Sequence, residues 1–486
     1  MRKGSLANVT KALCLSLFAL ALLAGDLSAK STKKKKAEET PAAEAIPQVP
    51  AIPPPGSRTL KRTVDPIVVT GDALASLSGK NPSDFQLFAY RQGRGFVPIP
   101  FQVDQRDERG RYLFEKGPDA RADSDKGAID SNDELVFMAF DIGDEAPSSI
   151  LLPMASGGAE FKIVDPVDGG AAWAYLLPKA FSPEVAPHNY VTLSEEQLEV
   201  IARDYIFRNC RQAPIGFDHL AIRHGDQPPI NIVDRLKIRG VAKVLGIMDV
   251  STNEGDLKSK LRGSIDGPVR VIRRSRNSYE LGGLIPTVRA DAEWVFYPNH
   301  FYVILSGKMP FDADKIASKA NLRVAVDYTS EIQGARFYTG SLEGEGVLFD
   351  GTPEGIPSRK DMSRVPYQWG AIYGFGPEGK DGWFSRMIPG PTIPSWFDPY
   401  IVDDPNASDP PEREKGRHDI GFSSDRMVEM KGGEFWLKSY LYRLDGFDVS
   451  QVTNFLNVTD KPLTVETKIL RQTAASVEAP SAPANP

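Results

Sequence analysis

The chain has 486 residues, with 58 Lys and Arg against 64 Asp and Glu and a net charge of −6. That balance excludes the basic surface of a nucleic-acid binder. Its two cysteines, Cys14 and Cys210, exclude a disulfide scaffold and a cysteine-rich zinc or iron–sulfur site, and the absence of CxxCH excludes the usual c-type haem attachment.

Residues 1–29 carry the three-part pattern of a secretory signal peptide. Arg2, Lys3 and Lys11 lead, residues 12–25 are almost wholly apolar, and Leu27-Ser28-Ala29 offers small residues at a cut. The apolar run is shorter than the roughly 20 residues a spanning helix needs. The expectation is cleavage, no transmembrane anchor, and a location in the periplasm or outside the cell. Cys14 has Leu13 before it, not the small residue of a lipidation site. Losing Arg2, Lys3, Lys11 and Asp26 leaves a net charge near −8 and Cys210 as the one remaining thiol.

Residues 30–60 read as a disordered linker, with Lys33 to Lys36 followed by a Pro-rich run through Pro55. Residues 472–486, rich in Ala, Pro and Ser, read as a disordered tail. Between them, 42 Gly and 39 Pro are spread along the chain and divide it into strand-length apolar runs. The pattern predicts an all-β protein, a multi-stranded antiparallel sandwich with a smaller N-terminal β domain.

The small domain is expected over 61–155. Its strands are 66–69, 85–90, 96–103 and the buried run 134–140; Pro98 and Pro100 place the third at an edge. The large sandwich is expected over 156–471. Strands are read at 161–164, 173–177, 230–250, 269–274, 288–297, 301–307 and 322–328, with short helices at 193–203 and 312–318. The stretch 350–425 reads as long loops carrying Trp369, Tyr373, Trp383, Trp396, Phe397 and Tyr400. Strands at 433–443 and 464–469 are expected to complete the large sandwich.

Two stretches carry candidate chemistry. Asp123, Asp125, Asp130, Asn132, Asp133 and Glu134 place hard oxygen atoms two apart on turning backbone, which suits Ca2+. The run begins like an EF-hand loop but has Gly127 one place early. Further on, Arg270, Arg274 and Arg276 fall on one face of a strand and Arg273 on the other. With Trp294 and Tyr297 they form a candidate cleft for an acidic sugar, arginine gripping a carboxylate and the aromatic rings stacking. Tyr302 and His300 are nominal bases for lyase chemistry on such a ligand. The phrase Asp266-Gly267-Pro268-Val269-Arg270 resembles a strand start in large carbohydrate-active sandwiches of the galactose-mutarotase-like type, which implies an architecture and no activity.

His188, His219, His224, His300 and His418 form no HExxH, there is no GxSxG, and no GxGxxG follows a strand and opens a helix. Zinc, nucleotide and haem are not expected. The sequence therefore points to an exported binding or structural protein, partnered by a polysaccharide or a cell-envelope protein. A polysaccharide lyase or hydrolase is the alternative.

Overall fold

The computed structural model describes residues 56–121, 127–151, 157–181, 185–186, 188–244, 246–278, 289–340, 346–353, 369–393, 397–448 and 452–470. Among the described residues strands hold 53% and helices 11%, in five antiparallel sheets, which is the all-β sandwich class expected from the sequence. In chain order the first strands are β1 (Pro66–Thr70), β2 (Phe85–Arg91), β3 (Gly95–Pro98), β4 (Gln102–Asp104), β5 (Glu134–Met138), β6 (Ala159–Val164) and β7 (Ala171–Pro178). There follow β8 (Val191–Ser194), β9 (Glu199–Ala202), β10 (Tyr205–Asn209), β11 (Phe217–His224), β12 (Gln227–Asn231), β13 (Val233–Val244), β14 (Met248–Asn253), β15 (Lys258–Asp266), β16 (Val271–Ser278) and β17 (Arg289–Phe296). The rest are β18 (His300–Met309), β19 (Ala317–Tyr328), β20 (Arg336–Thr339), β21 (Val347–Leu348), β22 (Trp369–Phe375), β23 (Asp381–Pro389), β24 (Asp398–Asp404), β25 (Arg417–Ser424), β26 (Gly433–Asp445) and β27 (Thr464–Ile469).

The chain divides into two compact units. The smaller takes the described residues up to 113, 127–188 and 457–470; the larger takes 114–121 and 189–456. The smaller unit packs sheet β1-β5-β4 against sheet β27-β6-β7-β2-β3. Ile67, Val69, Leu135 and Phe137 of the first share one core with Leu87, Phe161, Ile163 and Leu176 of the second. Pro98 and Pro100 split the run 96–103 into β3 and β4, each at the edge of its sheet, because proline cannot donate to a ladder.

Strand pairing departs here from the expected boundary at 155. β7 pairs β2, with Leu87 opposite Leu176, and β27 pairs β6, with Val465 opposite Ile163. Phe161, Ile163 and Leu176 complete the core that β1 and β5 begin, so these strands belong to the smaller unit. The strand expected at 464–469 therefore completes the smaller unit and not the large sandwich; its pairing with β6, across some 300 residues, leaves no local trace in sequence.

The larger unit has a nine-stranded sheet, β15-β16-β17-β18-β26-β23-β22-β20-β21, and two five-stranded sheets, β14-β13-β19-β25-β24 and β12-β11-β10-β9-β8. One core is anchored on Phe207 of β10, whose ring lies 4.8 Å from Phe296, 5.0 Å from Phe301 and 5.2 Å from Trp294. The segment 114–121 docks where Gly263 leaves room for Phe114; a Cβ there would lie 2.4 Å from the Phe114 ring.

Three local expectations change. The helix expected at 193–203 is the β8–β9 hairpin: Val191, Val200 and Ala202 alternate inward, and Leu198 makes the turn at φ 58°, a conformation a helix never uses. The helix expected at 312–318 is a single 3₁₀ turn, Ala313–Lys315, before β19. The expected loops of 350–425 contain β22 to β25, and Trp369, Trp383 and Phe397 are buried core residues; Trp396 lies outside the described residues.

Candidate functional site

The nine-stranded sheet faces β14-β13-β19-β25-β24 across a gap that side chains do not fill. On one wall Leu236 and Ile238 of β13 sit opposite Val326 and Val324 of β19, which in turn sit opposite Ile420 and Phe422 of β25. Cross-strand partners share a face, so these six form one apolar surface. On the other wall Ala292, Leu305 and Leu437 form one row, and Trp294, Val303, Ser439 and Met387 form the next. Between the walls lies a cavity with about 220 Å³ open to the centres of water-sized molecules.

The cavity is the seam between two clusters of the sandwich core. Trp294, Tyr328 and Phe337 belong to one; Leu322, Met427 and Phe435 belong to the other. Leu305 packs against both. Leu236, Ile238, Val303, Val324, Val326, Leu437 and Leu441 line the gap and stay only partly buried although each points inward. Small side chains open it: Ala290, Ala292, Ser385 and Ser439 take inward positions where neighbouring rows carry Trp294, Met387 or Phe435. Asn277, Ser385 and Thr252 also line it, and each has an internal partner. Asn277 Nδ2 donates to Ala290 O at 3.0 Å, Ser385 Oγ to Gly370 O at 3.0 Å, and Thr252 Oγ1 to Asp256 Oδ2 at 3.3 Å. Arg386 and Tyr440 border the cavity through backbone; strand alternation places their side chains on the other face, in register with Tyr302.

The arginine stripe does not assemble the expected cleft. Arg274 and Arg276 share a face, as the alternation required, and are matched across the ladder by Glu293 and Asp291 at 2.7 and 2.9 Å. Trp294 is the register partner of Arg273 and so lies on the opposite face, in the core. Arg270 and Tyr297 are both 1% exposed, and Arg270 Nη1 donates to the Tyr297 hydroxyl at 2.9 Å. They sit beside His300, whose ring stacks on Tyr297 at 4.7 Å and whose pKa burial pushes down to about 3. A buried imidazole so weakly basic is no general base. Arg273 is equally buried; its guanidinium, lowered to about 10 by burial, donates to Asn209 Oδ1 at 2.6 Å and to the carbonyl of the Leu198 turn at 3.2 Å.

In the acidic stretch, Asp123 and Asp125 lie outside the described residues. Asp130, Asn132, Asp133 and Glu134 form a local turn. Asp133 accepts the backbone N–H of Arg106 and of Asp130, both at 3.0 Å. Asp130 Oδ1 accepts from Asn132 N at 2.9 Å, and Asn132 Nδ2 donates to Asp107 O at 3.1 Å. Glu134 is held by Arg106 at 2.5 Å and the Tyr112 hydroxyl at 2.9 Å. Among the described residues no group of three or more His, Cys, Asp and Glu is arranged to hold a metal ion.

A second polar feature has no counterpart in the sequence reading. On the outer face of β13-β19-β25, Lys237 is fully buried, 2.9 Å from Asp327, and donates to Asp409 O at 2.6 Å and Pro411 O at 3.2 Å. Asp327 lies directly across from Asp419. Burial, then the Asp419 charge, push its carboxyl up to about 6 against the pull of Lys237. Arg239 Nε donates to Asp409 Oδ1 at 3.0 Å, Arg323 also binds Asp409, and Arg413 Nε donates to Asp234 at 3.0 Å. Together these charges clamp residues 409–413 onto the sheet.

No protein-family model and no curated protein sequence matches the chain. Among solved structures it is similar to a glycosyl hydrolase family 38 protein from Enterococcus faecalis, at 8% identity and a TM-score of 0.45 over 87% of this chain and 48% of that one. It is similar to an alpha-mannosidase from Enterococcus faecalis V583, at 8% identity and a TM-score of 0.43 over 85% and 45%. A third is the alpha-N-acetylgalactosaminidase NagBb from Bifidobacterium bifidum, at 10% identity and a TM-score of 0.33 over 54% and 38%. The chain spans about half the length of the first two.

Proposed function

We propose that this chain is an exported binding protein that holds an apolar small molecule between two sheets of its larger unit. The observation that carries the reading is the divided sandwich core: a cavity of about 220 Å³ walled by inward aliphatic side chains that remain within reach of solvent. A concave, mostly apolar space with few polar groups is the usual form of a small-molecule site. The signal-like segment 1–29 supports an exported setting. The test is fluorescence titration with N-phenyl-1-naphthylamine, which brightens in an apolar site. Saturable binding is expected, lost in Ser439→Leu; no brightening by the folded protein would sink the reading. An acidic glycan would have to bind through Arg274 and Arg276 without Trp294 or Tyr297. Glycan-array binding that falls in Arg276→Ala would favour that second reading.

A further inference from the structure

We infer that the ligand is a single unbranched hydrocarbon chain whose head group stays outside the cavity. This rests on the cavity being the binding site and adds the chemical class of what enters it.

The first argument is polar satisfaction. Asn277, Ser385 and Thr252 each donate to a protein acceptor. A ligand carboxylate drawn inside would exchange its water for neutral donors such as the Ser439 hydroxyl and the Trp294 indole N–H, too little for a charged head group.

The second argument is where the charges are. Each wall is one strand thick, and alternation sends its charged residues outward. On one wall Lys237, Arg239, Arg323, Asp327 and Asp419 interleave with the lining residues Leu236, Ile238, Val324, Val326 and Ile420. On the other, Glu293 and Lys438 interleave with Ala292, Trp294, Leu437 and Ser439 in the same way. No side chain alternating with these lining residues brings a charge to an anionic or cationic head group inside the gap.

The third argument is size and shape. A water's share of liquid volume is about 30 Å³, so the cavity has room for on the order of seven water-sized groups. Facing sheets pack about 10 Å apart, which leaves a slot. A methylene takes about the room of a water, so a chain of roughly seven to nine carbons fills the slot and a fused-ring lipid overfills it.

The experiment is calorimetric titration of the full chain with straight-chain fatty acids of increasing length, each below its micellar concentration. The same chain is then presented with carboxylate, alcohol and phosphocholine heads. Affinity is expected to rise about fourfold per methylene, the factor for burying one CH₂, and to level off once the slot is full. Changing the head at fixed length is expected to change affinity less than about threefold. A head-group preference above tenfold, or affinity independent of chain length, would overturn the inference and leave an apolar site of another kind. Absence of binding by every chain and by the naphthylamine dye would instead overturn the cavity as a site. Ser439→Leu is expected to shorten the length at which affinity levels off or to abolish binding, while an unchanged plateau would place the chain elsewhere.

Discussion

Replacing Ser439 by Leu decides whether the gap between the sheets is open in solution. Ser439 sits on β26 opposite Val303 and Met387 and points into the cavity. Leucine adds three carbons and removes a hydroxyl. At about 0.8 kcal/mol per buried CH₂, filling open space contributes about 2.4 kcal/mol. Fixing the longer side chain costs about 0.5–1 kcal/mol. The net is stabilisation of about 1.5 kcal/mol, or a Tm rise of roughly 3–6 °C for a unit of this size. In a closed, well-packed core the same substitution is overpacking and costs about 1–3 kcal/mol. Two opposite signs therefore follow from the two states. Differential scanning fluorimetry without ligand reads the sign, and dye titration of the same variant reads occupancy. A fall in Tm together with undiminished dye binding would refute both the cavity and its role.

Three further outcomes follow from the geometry. Trp294→Ala removes a ring packed among Phe207, Phe296 and Phe301 and is expected to cost about 3–5 kcal/mol by denaturant melt; a cost below 1 kcal/mol would put the indole at the surface. Asp327 has a folded pKa raised from 3.8 to about 6, so its favourable contribution is complete below about pH 4 and is lost as pH rises through 6. The stability of wild type minus that of Asp327→Asn should therefore fall across that window by on the order of 2 kcal/mol, and a flat difference would show that the carboxyl is not raised. Because Asp130, Asp133 and Glu134 already accept hydrogen bonds from protein donors, chelation is expected to leave the melt unchanged. A chelator-induced fall in Tm would place a cation on the loop with Asp123 and Asp125.

What was legible in the sequence is what alternation and unbroken apolar runs encode. The strand 289–296 was marked by inward residues two apart, the strand 134–138 by an unbroken apolar run, and Pro98 and Pro100 marked edges because of what proline cannot donate. The split of Arg274 and Arg276 from Arg273 followed from the same periodicity. Pairing was not legible. That Trp294 shares a face with Arg273, and that Glu293 neutralises Arg274, depends on register between β16 and β17, which a one-residue slip would invert. The clamp on Lys237 needed partners at 327, 409 and 411, far along the chain. The cavity left a faint mark: Ser439 interrupts the inward series Phe435, Leu437, Leu441, and Ala290 and Ala292 precede Trp294 on one face. Small residues at inward positions are common wherever sheets approach closely, so the mark gains meaning only when the opposing wall is known not to approach.

That distinction bears on why the gap exists. Glycine and alanine at a sheet interface normally let the other sheet come nearer, as Gly263 does for Phe114. Here the clusters on either side hold the sheets apart: Tyr328 and Phe337 on one side, Phe422 and Phe435 on the other, with Ala292 and Ser439 in between. An empty space of this size, at about 24 cal/mol per Å³, would cost on the order of 5 kcal/mol. That is comparable with the whole net stability of an ordinary domain, about 5–15 kcal/mol. A few methyl groups, such as Val in place of Ala292, would recover part of it. A sandwich whose bulky pillars prevent collapse, and whose intervening positions are small, is arranged to be filled by something other than its own side chains. Ligand occupancy recovers the same dispersion and desolvation that the missing methyl groups would have supplied, and it stabilises the fold by mass action in proportion to ligand concentration over Kd. The larger unit should accordingly melt at a higher temperature as purified from lipid-rich cells than after delipidation, with the smaller unit, whose core is continuous from β1 to β27, unmoved.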